Sequence, residues 1–172
     1  MIRLILLALL QPAHLPLDAR AQTPEATPDV TQRYTLDARF EPDAATLTGE
    51  LTVAWTNTTG ESQDTLPLRL YPNAEHYADG GISIDDARVD GEPTVVESDP
   101  VDPTVARLPL GETVPPGDER MLELSFTTTV PTGGDGGFGI LRGSPDTGMW
   151  ALVNWYPIVA GWKPDGGWSL DP

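Results

Sequence analysis

Residues 34–55 read YTLDARFEPDAATLTGELTVAW. Tyr34, Leu36, Ala38 and Phe40 alternate with polar neighbours, and Leu47, Gly49, Leu51, Val53 and Trp55 alternate again, so each run puts its apolar side chains on one face of a strand. Glu41 to Ala45 between them, with Pro42 and Asp43, is turn chemistry. Two half-buried strands are therefore expected. Working outwards, residues 57–62 form a turn, and Leu66, Leu68 and Leu70 resume the period of two until Pro72 stops it. Ile82 and Ile84 open a strand that reaches Val89, and Asp90-Gly91 is a hairpin dipeptide from which residues 94–97 should return antiparallel. Residues 104–110 and 121–130 are expected to pair around Val114-Pro115-Pro116-Gly117-Asp118, with Leu122, Leu124, Phe126 and Thr128 on one face. Apolar residues nowhere hold helical spacing for three turns, so the fold class is all-β, an antiparallel sandwich or saddle-like pair of curved sheets.

Residues 132–148 change character. Gly133, Gly134, Gly136, Gly137, Gly139, Gly143 and Gly148 crowd this segment, which reads as one long loop. Trp150, Leu152, Asn154 and Tyr156 then alternate up to Pro157, and Gly161-Trp162 to Gly167-Trp168 is rich in aromatics and glycine. Trp150 and Tyr156 read as core by their alternation with Leu152. Trp162 and Trp168, set among Gly and Pro, read equally as an interface. The sequence ends at Pro172 directly after this cluster, which suggests an interrupted domain.

At the other end Arg3, the apolar run from Leu4 to Leu10 and Ala19-Arg20-Ala21 follow the order of a cleavable secretory signal peptide, residues 1–21, with cleavage expected after Ala21. The run is far shorter than the roughly 20 residues that span a bilayer, and no cysteine follows it, so neither a membrane anchor nor a lipoprotein is expected. Residues 22–32, polar and punctuated by proline, form a linker, and the folded part should occupy residues 33–172. The protein is expected in a periplasm or an external medium.

The chain has 172 residues with no cysteine, 17 glycines and 18 prolines. That is one loop-rich domain, large enough to stand without disulfides. Removing residues 1–21 leaves 8 basic and 25 acidic side chains of the original 10 and 26, so the negative balance belongs to the folded part. Such a surface repels phosphate backbones, which excludes nucleic acid as a natural partner.

Residue inventory excludes much chemistry. His14 and His76 are the only histidines, and His14 lies in the signal, so neither a zinc-binding H-E-x-x-H helix nor a His pair can be assembled. His76 would have to serve any Ser-His-Asp triad alone, without a G-x-S-x-G motif, and reads better as a loop residue. Glu50, Asp85, Asp86 and Glu123 are candidates for paired catalytic acids, but solvated edges and turns explain them better. Asp85, Asp86, Asp90 and Glu92, or Asp99 and Asp102, offer calcium ligands without the spacing of a known calcium loop.

Several motifs in order resemble the N-terminal domain of the M1 zinc metallopeptidases, the aminopeptidase N-like gluzincins. Residues 34–40 with Leu47-Thr48-Gly49-Glu50-Leu51 are similar to that family's opening strands, and Trp55-Thr56-Asn57-Thr58-Thr59 resembles the exit of the second. Leu68-Arg69-Leu70-Tyr71-Pro72-Asn73-Ala74, Val89-Asp90-Gly91, Leu108-Pro109-Leu110, Pro116-Gly117-Asp118 and Leu124-Ser125-Phe126 continue the series. Asn154-Trp155-Tyr156-Pro157 with Gly167-Trp168 is its most specific part. The resemblance implies a β-sandwich saddle that packs on a catalytic domain following residue 172, with peptide substrate and zinc handled there and no cofactor or activity in this chain. In the family a Gln or Glu shortly before the catalytic domain holds the substrate's amine. Aligned on Pro157, that position falls on Tyr156, which lacks a carboxylate, with Asn154 two residues before it. Asn154 and Tyr156 are thus expected on the cleft rim or in the seam, and Trp155, Trp162 and Trp168 in the interdomain seam. The rival expectation is a secreted carbohydrate-binding or adhesive module whose tryptophans stack on sugar. A non-catalytic scaffold of the same fold with another protein partner is a third.

Overall fold

The computed structural model describes residues 32–77, 79–133, 141–163 and 165–170. The expected signal peptide, the expected linker up to residue 31 and the glycines at 134, 136, 137 and 139 lie outside the described residues. Eleven strands appear among the described residues: β1 (Gln32–Glu41), β2 (Thr46–Thr56), β3 (Gln63–Arg69), β4 (Gly81–Val89), β5 (Glu92–Pro93), β6 (Glu97–Ser98), β7 (Val105–Val114), β8 (Glu119–Thr129), β9 (Leu141–Ser144), β10 (Met149–Leu152) and β11 (Ile158–Val159). Short 3-10 turns at Pro42–Ala44, Tyr71–Asn73 and Glu75–Tyr77 are the helical elements among them. All pairings are antiparallel, in a larger sheet ordered β1-β2-β8-β4-β5, a smaller one ordered β11-β3-β7-β6, and the hairpin β9-β10. The class is an all-β sandwich.

The first two strands follow their sequence pattern. β1 and β2 pair from Gln32 opposite Trp55 to Glu41 opposite Thr46, around a 3-10 turn closed by Ala45 in the left-handed region at φ 50°. Leu51, Val53 and Trp55 of β2 and Leu122, Leu124 and Phe126 of β8 face Leu66, Leu68, Leu108 and Val114 of the smaller sheet in one core. Gly49 is required here. A Cβ at that position would stand 2.6 Å from the Phe126 ring, so only glycine leaves room for the ring there.

Three expectations are corrected. Strands β7 and β8 do not form a hairpin: β7 pairs with β3 and β6, β8 with β2 and β4, and residues 115–118 carry the chain from one sheet to the other. The Pro-Pro-Gly-Asp signal marks a reversal without saying which strands it joins, and burial on two facing sheets decided for a crossover. Likewise, of residues 94–97 only Thr94 continues the Asp90-Gly91 hairpin. Glu92–Pro93 returns along β4 and the Thr94 N–H still donates to the Ala87 carbonyl, after which the chain crosses and Glu97–Ser98 adds to β7. Third, the segment read as a long loop contains β9, which with β10 forms a hairpin in which Trp150 lies over Gly143.

Asn57 holds the two crossings together. It is fully buried, and its side-chain amide donates to the carbonyls of Glu61 and Val114, both at 2.8 Å, while its Oδ1 accepts from the Thr59 N–H and hydroxyl. Its backbone N–H donates to Asp118 and its carbonyl accepts from Gly117. One side chain with four satisfied hydrogen-bonding positions thus ties the β2–β3 crossing to the β7–β8 crossing.

Strand β3 departs from simple alternation. Leu66, Pro67, Leu68, Arg69 and Leu70 are all buried, on both faces of an inner strand flanked by β11 and β7. A second apolar cluster of Leu47, Tyr77, Val130 and Leu141, with Phe40, Trp150 and Leu152 at its margin, closes one end of the sandwich under the β9–β10 hairpin.

Candidate functional site

The aromatic segment after β10 packs against both apolar clusters. Strand β10 ends at Leu152, and Asn154 adopts φ 54°, a left-handed conformation that Asn tolerates better than bulkier residues. This corrects the expectation of continuous alternation to Tyr156. The reversal at Asn154 turns Trp155 inwards, where it packs beside both apolar clusters, with its ring 5.9 Å from that of Phe126 and 5.5 Å from that of Tyr156. The Trp155 carbonyl accepts a hydrogen bond of 2.7 Å from the Thr128 hydroxyl, which fixes the turn to β8.

Tyr156 meets Tyr34 edge-on at 6.2 Å. The Tyr34 hydroxyl accepts from the Val159 N–H at 3.0 Å and donates to Gln32 Oε1 at 2.8 Å, so β1 on the larger sheet is laced to β11 on the smaller. Burial pushes the Tyr34 phenol up to about 12, although the Val159 N–H works in the opposite direction. Beyond the buried Pro157, Ile158 and Val159 pair with Arg69 and Leu68, and the Ala160 N–H donates to the Pro67 carbonyl.

Trp162 and Trp168 face each other across a tight loop, with centroids 5.2 Å apart and planes at 82°, and the Lys163 N–H donates to the Gly167 carbonyl inside it. Trp168 also packs against the main core. Among the described residues no ring contact joins this pair to Trp155 and Tyr156, so the expected site residues form two groups, Asn154-Trp155-Tyr156 and Trp162-Trp168. An edge-on pair does not present the two flat faces that a sugar-stacking platform uses. A groove of about 610 Å³ runs beside the β9–β10 hairpin, lined by Arg142, Ser144, Thr147, Met149 and Trp150. Sequence patterning gives no sign of it, because the hairpin's first strand is hidden among glycines.

The acidic candidates serve the chain's own backbone. Asp99 Oδ1 accepts from the N–H groups of Val101 and Asp102, which with Arg107 hold its carboxyl below the usual carboxylate range. Asp102 Oδ1 accepts from the N–H and hydroxyl of Thr104, Asp90 accepts from the Met121 N–H, and Asp85 from Ser83 and Thr127. Asp86 pairs with Arg88 at 3.4 Å, while Glu50 and Glu123 are exposed on neighbouring strands. His76 is exposed and lies 4.2 Å from the Tyr77 ring. Among the described residues no three His, Cys, Asp or Glu side chains gather in a way that could hold a metal, so they do not fit a zinc site. No helix there is long and apolar enough to cross a membrane.

No protein-family model matches the chain, and no curated protein matches it in sequence. Among solved structures it is similar to an M1 zinc metallopeptidase from Deinococcus radiodurans bound to a Tyr-Ser-Ala substrate, at 18% identity and TM-score 0.46, over 62% of this chain and 22% of that one. It is likewise similar to the M1 zinc metallopeptidase from Deinococcus radiodurans in a further structure, at 20% identity and TM-score 0.45, over 62% and 21%. A two-domain M1 zinc metallopeptidase bound to L-tryptophan gives 18% identity and TM-score 0.45, over 63% and 23%. The chain thus spans less than a quarter of the length of these proteins.

Proposed function

We propose that this chain is the non-catalytic N-terminal domain of an exported M1-type zinc metallopeptidase, residues 33–172 forming the domain after a signal peptide cleaved at Ala21. Its work is mechanical: it buttresses a catalytic domain encoded beyond residue 172 and walls one side of the peptide cleft with residues 151–168. The observation that carries this reading is the segment Asn154-Trp155-Tyr156-Pro157. It is the most family-specific motif in the sequence, and it is also where the chain turns, locks Trp155 against both apolar clusters and crosses to the smaller sheet. A segment anchored so firmly is a suitable rigid rim for a neighbouring domain.

Zinc and the hydrolytic chemistry belong in this reading to the downstream domain, since the described residues do not fit the metal. Asn154 and Tyr156 stand at the cleft rim, and Trp155, Trp162 and Trp168 along the seam. Reading the natural gene past the Pro172 codon tests the proposal. An open frame with H-E-x-x-H and a downstream Glu, and a full-length protein that cleaves aminoacyl substrates until zinc is chelated, is the expected outcome. A stop codon at that point overturns it, as does stoichiometric zinc and aminoacyl cleavage by this chain alone. Saturable tryptophan quenching by oligosaccharides would favour the binding-module alternative.

A further inference from the structure

The larger sheet has one long edge. All ten residues of β1 pair in unbroken register with β2, and among the described residues no strand lies on the other side of β1. Along such an edge alternate residues direct their N–H and C=O groups outwards, a template for another strand. Natural edges are commonly blunted by charge or a bulge. Here there is no bulge, and the exposed charges Arg33, Asp37, Arg39 and Glu41 carry both signs.

We propose that this edge is completed by β1 of a second copy of the chain, antiparallel about a twofold axis beside Ala38, so that two larger sheets run on as one. In that register Asp37 lies opposite Arg39 of the second copy, and Arg39 opposite its Asp37. On the other face Leu36 lies opposite Phe40 and Phe40 opposite Leu36, each half-buried at the margin of its own apolar cluster. Cross-strand ion pairs and aromatic–aliphatic pairs are the contacts that stabilise antiparallel neighbours. Neighbouring registers lose them. Centring on Asp37 or Arg39 sets that charge against itself, and centring on Leu36 sets Arg33 against Arg39. The Arg39 side chain is 78% exposed, so a partner strand can meet it, and Asp37 of the second copy would share it with Glu41 of its own strand, now at 3.0 Å. A single strand edge buries little area and the domain is strongly acidic, so the dimer is weak and reversible. This inference does not depend on the peptidase reading.

Sedimentation of the full chain from about 1 to 100 µM tests it, a range that spans the affinity of a small interface. A reversible monomer–dimer equilibrium is expected. Asp37→Arg and Arg39→Asp, both exposed positions, should each leave a folded monomer by circular dichroism, and the double exchange D37R/R39D should dimerise again. A wild-type monomer throughout, a dimer indifferent to either single reversal, or no recovery in the double exchange overturns the proposal. Amide exchange in the wild type supplies a reading free of substitutions: outward-facing amides between Thr35 and Glu41 should slow as concentration rises, and exchange independent of concentration overturns the pairing.

Discussion

Arg69 is the residue whose physics is least comfortable. It is 1% exposed, none of its three guanidinium nitrogens has a hydrogen-bond partner, and its charge is met by Asp102 at 3.9 Å and by the Tyr71 ring at 5.0 Å. A buried guanidinium balanced in charge but not in hydrogen bonds contributes little net stability, whereas removing its counter-charge leaves it uncompensated. Arg69→Met should therefore leave the urea midpoint unchanged or raise it. Asp102→Asn, which keeps an oxygen for Thr104, should cost about 1–2 kcal/mol. That cost should vanish in the double variant, as a double-mutant cycle would show. Tyr34 gives a pH prediction. Its folded value of about 12 exceeds the ordinary 10.0, so its contribution is complete below pH 10 and is lost as pH rises towards 12. Over that interval wild type should lose roughly 2 kcal/mol relative to Tyr34→Phe, read from denaturant midpoints.

At the scale of elements, one buried side chain joins the two crossings. Burial between the two facing sheets chooses the crossings, and Asn57 then ties residues 57–62 to residues 114–118. Asn57→Ala removes two donors and an acceptor from a dry site and leaves the Val114 carbonyl without its side-chain donor. A loss of about 3 kcal/mol is expected by chemical denaturation. Loss of the half-buried Gln63 amide, which donates to the Thr59 hydroxyl at 3.0 Å, should cost far less at the margin of the same turn.

Across the whole molecule, charge sets the long-range energetics. The chain carries a net −16, and several of its few cations pair locally: Arg39 with Glu41, Arg88 with Asp86, Arg107 with Asp99 and Arg120 with Asp90. The remaining carboxylates repel one another over distances that salt screens. Raising sodium chloride from about 0.01 to 0.5 M should therefore raise the melting temperature by a few degrees, because repulsion is screened more than the short local pairs are weakened. A fall on adding salt would show that the ion pairs outweigh the repulsion.

Period-two patterning was enough to determine that the chain is all-β, to place β1, β2, β4 and β8, and to assign Leu51, Val53, Leu122 and Leu124 to a buried face, because alternation is a local property of the backbone pleat. Turn chemistry was equally local, and Pro42-Asp43 and Asp90-Gly91 lie where it put them. Which strand pairs with which was not local. Pro115-Pro116-Gly117-Asp118 reads the same in a hairpin as in a crossing, and only burial between two facing sheets chose the crossing. The aromatic segment was legible as composition, yet the inward turn of Trp155 depends on the backbone reversal at Asn154 and on the carbonyl held by Thr128, a contact 27 residues away in sequence. The burial of Arg69 likewise arises only in the folded sheet, where Asp102 and the Tyr71 ring lie beside it. Local periodicity sets which residues share a face, and the demand to remove those faces from water together sets what each face meets.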